Sequence, residues 1–244
     1  MAVILVHSPK GGVGRTTVAA NLAAQFARAG RDVTAIDFDP QQSLRLHFGY
    51  RPGVDLSGGD GGEDAARGVL TERGVHLIAS GAQAFALPPR PDAKDLADLP
   101  ARLEDSFGAS DVVVIDLPAD GGVFLDVLGG IASVELGVML ADAASMAMLP
   151  AMAARQTDAE RLFLINQIDD RRRLSRDAMR LLGRRVGREA MAFIRRDEAI
   201  CEALAMLRPV VDFAPESVGS YDFSHLARIV EHRIAVSADG VAAA

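Results

Sequence analysis

The sequence predicts an α/β fold: a doubly wound, mostly parallel sheet with helices on both faces. Three observations carry this expectation. Short β-branched runs alternate along the chain with longer amphipathic or small-residue stretches. Several of those runs are apolar without alternation, as strands buried on both faces require. The first run passes straight into a glycine-rich turn and then a helix-forming stretch.

Taken in order, residues 3–6 ("VILV") form the first expected strand, followed by a helix over 15–29 that Gly30 ends. A strand at 33–36 leads to a short helix at 41–48. Strands are then expected at 75–79, 112–115, 136–140, 161–165 and 190–194. Helices fall around 94–107, 145–154, 175–185, 197–207 and 222–234. In the last of these, Phe223, Leu226, Ile229, Val230 and Ile234 recur at helical spacing, a stripe that suits core packing. The glycine-rich, acidic stretch "GVDLSGGDGGEDAARGVL" at 53–70 reads as a surface loop or a segment ordered by a partner. Residues 1–235 read as one domain, and 236–244 as a flexible tail, because "SADGVAAA" has no amphipathic face.

Composition narrows the class. A chain of 244 residues can bury one large core. No apolar run approaches the roughly 18 residues that span a bilayer, and the run at 3–6 is too short for a signal peptide. The expected location is therefore the cytoplasm. The single cysteine, Cys201, excludes a disulfide framework and a cysteine zinc cluster; its neighbours Ile200, Ala203 and Leu204 suggest a buried core thiol. The five histidines lack ligand spacing, so no transition metal is assigned.

A net charge of −7 argues against a surface dedicated to nucleic acid, yet one cluster runs the other way. Arg171, Arg172, Arg173, Arg176, Arg180, Arg184, Arg185 and Arg188 crowd one stretch with only Asp177 inside it and Glu189 just after. A solvated helix face explains them; so would a docking surface for an acidic partner, nucleic acid or anionic lipid. Lysine is scarce: Lys10 and Lys94 are the only two among 26 basic residues, so Lys10 in the glycine turn points to a need for a compact ammonium.

That turn, "SPKGGVGRTT", carries the chemistry. Gly11, Gly12 and Gly14 let the backbone curl so that successive N–H groups face phosphate oxygens, while the helix N-terminus adds partial positive charge. Thr16 is placed to offer its hydroxyl to Mg²⁺, and Thr17 to reach a more distal phosphate. A dinucleotide fingerprint would need a third glycine where Thr17 stands. Acids arrive at two further strand ends: "VVVIDLP" delivers Asp116, suited to a metal shell, and "VTAIDFDP" delivers Asp37 and Asp39, one of which could order an attacking water.

"KGGVGRTT" resembles the deviant Walker A motif of the MinD/ParA superfamily of P-loop ATPases, which implies ATP and Mg²⁺ as cofactors. The resemblance places Gly11, Gly12, Val13, Gly14, Arg15, Thr16 and Thr17 on the phosphates. It gives Lys10 the role of reaching across an ATP-bound homodimer, Asp39 the activation of water and Asp37 a supporting part. Asp116 joins Thr16 at the metal, through water, and Asn166 in "INQ" contacts the base. Together with "VVVIDLPAD", the stretch "IRRDEAICEALAMLRPVVDFAPES" at 194–217 is similar to the BcsQ (YhjQ) family, encoded with bacterial cellulose synthase. That likeness implies partners such as BcsR and BcsE, and recruitment by partners to the inner membrane or cell pole. The other functions open to such a chain are a partitioning ATPase that binds DNA and a membrane-bound positioning ATPase. A metabolic ligase on the same fold would need substrate residues that the sequence does not offer.

Arg15 departs from the superfamily pattern, which carries lysine there. A guanidinium keeps the charge but is a broad planar fork, so nucleotide binding is expected to survive and hydrolysis to be slow or negligible.

Overall fold

β-branched and aliphatic residues fill the central strands so densely that both faces of each must be covered, and the chain supplies helices to both. A computed structural model describes residues 1–54, 56, 68–79, 81–119 and 121–242. Its strands are β1 (Ala2–His7), β2 (Val33–Asp37), β3 (Val69–Leu70), β4 (Val75–Ile78), β5 (Val112–Asp116), β6 (Val134–Leu140), β7 (Glu160–Ile168) and β8 (Met191–Arg195). The helices are α1 (Arg15–Arg28), α2 (Gly81–Ala84), α3 (Leu99–Phe107), α4 (Gly122–Leu128), α5 (Ala143–Ala154), α6 (Arg173–Val186), α7 (Glu198–Ala205), α8 (Val210–Phe213) and α9 (Val218–Ala242).

The sheet order is β3-β4-β2-β5-β1-β6-β7-β8, parallel except for β3 against β4. Alternation divides each strand between two layers. Ile4 and Val6 join α1, α8 and α9 on one face, while Val3 and Leu5 meet α3 and α4 on the other. Farther along that second face, α5 and α6 pack on β6, β7 and β8 through Met139, Leu149, Phe163, Ile165 and Leu182. In-register parallel pairing sets Val6 beside Asp116 and Asp116 beside Asp37, so three strand ends finish together at the carboxyl edge. Ligands of doubly wound sheets bind at this edge, where the chain switches direction about β1.

Several expectations need correction. The helix expected at 41–48 is a 3-10 segment over Ser43–Phe48. The one expected from 94 starts at Leu99, because Pro100 is tolerated only in a first turn, while Asp92 holds the preceding residues as a turn through the N–H groups of Lys94 and Asp95. Cys201 is exposed: Ala203 takes the buried face of α7, and steps of 100° turn Cys201 outward. In the stretch expected as a tail, α9 runs on as helix through Ala242, and residues 243–244 lie outside the described residues. Most of the 53–70 stretch lies outside the described residues, but its last two residues form β3. No helix among the described residues is long and apolar enough to cross a membrane.

Candidate nucleotide-binding site

Between β1 and α1 the backbone makes a turn that needs glycine. Gly12 and Gly14 have φ of +74° and +85°, in the left-handed region, and Gly14 stands immediately before α1. Gly11 and Gly12 are exposed, whereas Val13 is buried and anchors the turn in the core. Asn166, at the end of β7, clamps it from below. Its Nδ2 donates to the Val13 carbonyl at 2.8 Å, and its Oδ1 accepts the Gln167 N–H at 2.9 Å. A Cβ at Gly14 would lie 2.5 Å from that Nδ2. Gly14→Ala therefore combines an unfavourable φ with loss of the clamp. It should cost about 2 kcal/mol and lower the melting temperature by roughly 4–8 °C; an unchanged melting temperature would show that the clamp contributes nothing.

Arg15 does not extend into solvent. Its Nε donates to Asp116 Oδ1 at 2.7 Å and its Nη2 to Asp39 Oδ2 at 2.6 Å. Only 7% of the side chain is accessible, and Asp116 is fully buried. The Thr16 hydroxyl donates to the other Asp116 oxygen at 2.6 Å. One guanidinium thus bridges two acids from separate strand ends.

Asp37 works on the backbone. Its two oxygens accept the N–H groups of Asp39 at 2.9 Å and Leu44 at 3.0 Å, which fixes the loop that presents Asp39. Burial pushes the Asp37 carboxyl well above the ordinary range, reinforced by Asp116 beside it. Burial also raises Asp116, against the downward pull of Arg15 and the Thr16 hydrogen bond. His7 ends β1 beside these groups; burial, then the cations Arg155 and Arg15, lower it to about 4, so it is neutral at pH 7.

Lys10 lies on the more open side, its ammonium 2.6 Å from Asp142 Oδ2. That bond and the Ser145 N–H hold the Asp142 carboxyl below its usual range. Both side chains are about one-third exposed. Such a pair is worth about 0–1 kcal/mol, too little to prevent Lys10 from turning elsewhere.

The structure brings Arg15, Thr16, Asp37, Asp39 and Asp116 into one cluster, with Lys10 and Asn166 on either side of the turn. Thr17 is half-buried, and its carbonyl accepts from Asn21 at 2.8 Å. Sequence reading missed Asp142. Its signal was available, because it follows the apolar run of β6 as Asp116 ends β5, and parallel strands deliver such residues to one edge.

The family described as "Cellulose biosynthesis protein BcsQ" matches over residues 1–230. The chain belongs to the BcsQ family. Among its relatives, BcsQ of Escherichia coli K12 is 26% identical over 235 residues, covering 93% of each chain. The chromosome-partitioning ATPase Soj of Thermus thermophilus is 27% identical over 250 residues, 95% of this chain and 96% of Soj. A plasmid partition protein from Borrelia burgdorferi B31, solved with AMPPNP, superposes with a TM-score of 0.72 at 17% identity. That match covers 95% of this chain and 99% of the other, and it establishes the shared MinD/ParA fold.

Proposed function

We propose that this BcsQ-family chain is an ATP-binding switch that pairs as a homodimer when ATP is bound and turns ATP over slowly or not at all. In that role it would serve assembly, localisation or regulation of a bacterial cellulose secretion system, with components such as BcsR and BcsE as partners. The observation that carries the reading is the positive-φ glycine turn ending at Arg15, whose guanidinium sits between Asp116 and Asp39. Two acids held by one cation, with the Thr16 hydroxyl bonded to Asp116, bring together oxygen donors of the kind that suits Mg²⁺. Thr16 and Asp116, the latter through water, would hold the metal, which when bound supplies positive charge to the phosphates. Backbone N–H groups from Gly11 to Thr17 and the start of α1 would cradle the phosphates themselves. Asn166, whose amide is held by the Val13 carbonyl and the Gln167 N–H, is the residue assigned to the base, and Asp39 the residue assigned to the attacking water.

Lys10 is assigned to the partner's phosphates, and its weak, exposed pair with Asp142 leaves it free to exchange. Light scattering tests this directly. Solution mass should double with Mg-ATP, remain monomeric with Mg-ADP or without nucleotide, and fail to double in Lys10→Ala. A monomer under every condition, or a dimer indifferent to Lys10, would overturn the reading.

A further inference from the structure

At the far end of the sheet, β8 is a terminal strand flanked by α6. Between them lies a groove of 450 Å³ with Ile168, Met179 and Phe193 as apolar lining and three cations, Arg176, Arg180 and Arg195, against one acid, Asp170. Phe193 is 44% exposed on β8, and Leu174 and Leu181 are 45% and 41% exposed on α6. All eight arginines from Arg171 to Arg188 are exposed, and two of them, Arg176 and Arg180, line the groove itself.

Internal partners neutralise only part of this charge. Arg171 pairs with Asp169, while Arg173 and Arg180 share Asp177. Arg176 donates to the carbonyls of Asp170 and Arg171, and Arg195 is held by Asp222. The side chains of Arg172, Arg184, Arg185 and Arg188 make no ion pair or hydrogen bond among the described residues. Exposed cations left without a partner give this face a positive field that attracts acidic groups, most strongly at low ionic strength.

From this combination we infer that the α6–β8 groove docks an acidic segment of another protein, which inserts an apolar side chain against Phe193 and Met179. Arginine mixed with exposed aromatic and aliphatic groups is the composition of protein interfaces. A nucleic-acid backbone would satisfy the arginines but leave Phe193 and Met179, which line the groove, uncovered. A bilayer surface cannot enter a recess, and the apolar side chains of Phe193 and Met179 line one. Recognition works through side chains rather than strand addition. The β8 edge is already closed at both ends, by the Met191 N–H to the Arg188 carbonyl and by the Arg195 N–H to Asp222. Three strand spacings, roughly 14 Å, separate β8 from β1, so docking and nucleotide binding can be tested apart.

Fluorescence anisotropy supplies the test, with a labelled peptide of repeating Glu-Asp-Leu-Phe, a control with glycine in place of its leucines and phenylalanines, a short duplex DNA, and phosphatidylglycerol vesicles. At physiological ionic strength the acidic-apolar peptide should bind more tightly than the control. Arg180→Glu with Arg184→Glu, and separately Phe193→Ser, should each weaken it by about tenfold or more. These substitutions are on the surface, and each variant should keep the mass response to Mg-ATP of the unsubstituted protein, whatever that response is. Tighter binding of DNA or vesicles than of the peptide, equal binding of the glycine control, or no peptide binding would each overturn the docking inference.

Discussion

Arg15→Lys is expected to raise phosphate release by about 10²-fold, the scale of a misplaced contact to the transferring group. In the native protein the guanidinium is fixed by two short bonds, to Asp116 and Asp39, with almost no accessible surface. Its planar fork fits two carboxylates at once, a geometry that a single ammonium cannot reproduce. A lysine at the same place can satisfy only one acid and has a compact, rotatable head free to turn to a phosphate. The substitution also releases Asp39 from its short ion pair, which the water-activating role proposed for that carboxylate requires. Phosphate release with saturating Mg-ATP checks this. Wild-type turnover as fast as the variant's would show that Arg15 does not restrain catalysis.

Removing the cation altogether should damage the fold. Arg15→Ala leaves Asp116 buried with only the Thr16 hydroxyl as a side-chain hydrogen-bond partner. Breaking a buried ion pair from one side costs about 3–5 kcal/mol, which for a chain of this length lowers the melting temperature on the order of 10 °C. Acid should shrink the loss. Burial already raises Asp37 and Asp116, so the folded state prefers their protonated forms and stability falls as pH rises through that range. Taking away Arg15 removes the cation that pulls Asp116 down, so the gap between variant and wild type should narrow as pH falls into the ordinary carboxylate range and widen towards neutrality. Millimolar Mg²⁺ should recover part of it if the acids hold the metal. Calorimetry across pH decides the matter: a variant as stable as wild type at pH 7 would show that the Arg15–Asp116 pair is energetically neutral.

How far the sequence could be read depended on whether the governing interaction was local. The seven expected strands are present because an apolar run buried on both faces needs no distant information to be recognised. The short β3 escaped notice, as did α2, α4 and α8, each too brief to show a period. Cys201 was misread because neighbours in sequence on a helix are not neighbours in space. Lys10 and Arg15 stand out in the glycine turn without any structure. Their partners do not: Asp142 lies 132 residues from Lys10 and Asp116 lies 101 from Arg15.

The sequence by itself determined the alternation of strand and helix, the glycine turn, and the acids at the ends of apolar runs, because each follows from side-chain pattern and backbone freedom within a few residues. Only the tertiary structure decided that Arg15 bridges Asp116 and Asp39, that Asp37 holds backbone, and that Arg176 and Arg180 of α6 line an apolar groove. Those outcomes rest on parallel register and on packing of helices against the sheet, which juxtapose side chains far apart in the chain, and no local pattern encodes such distances.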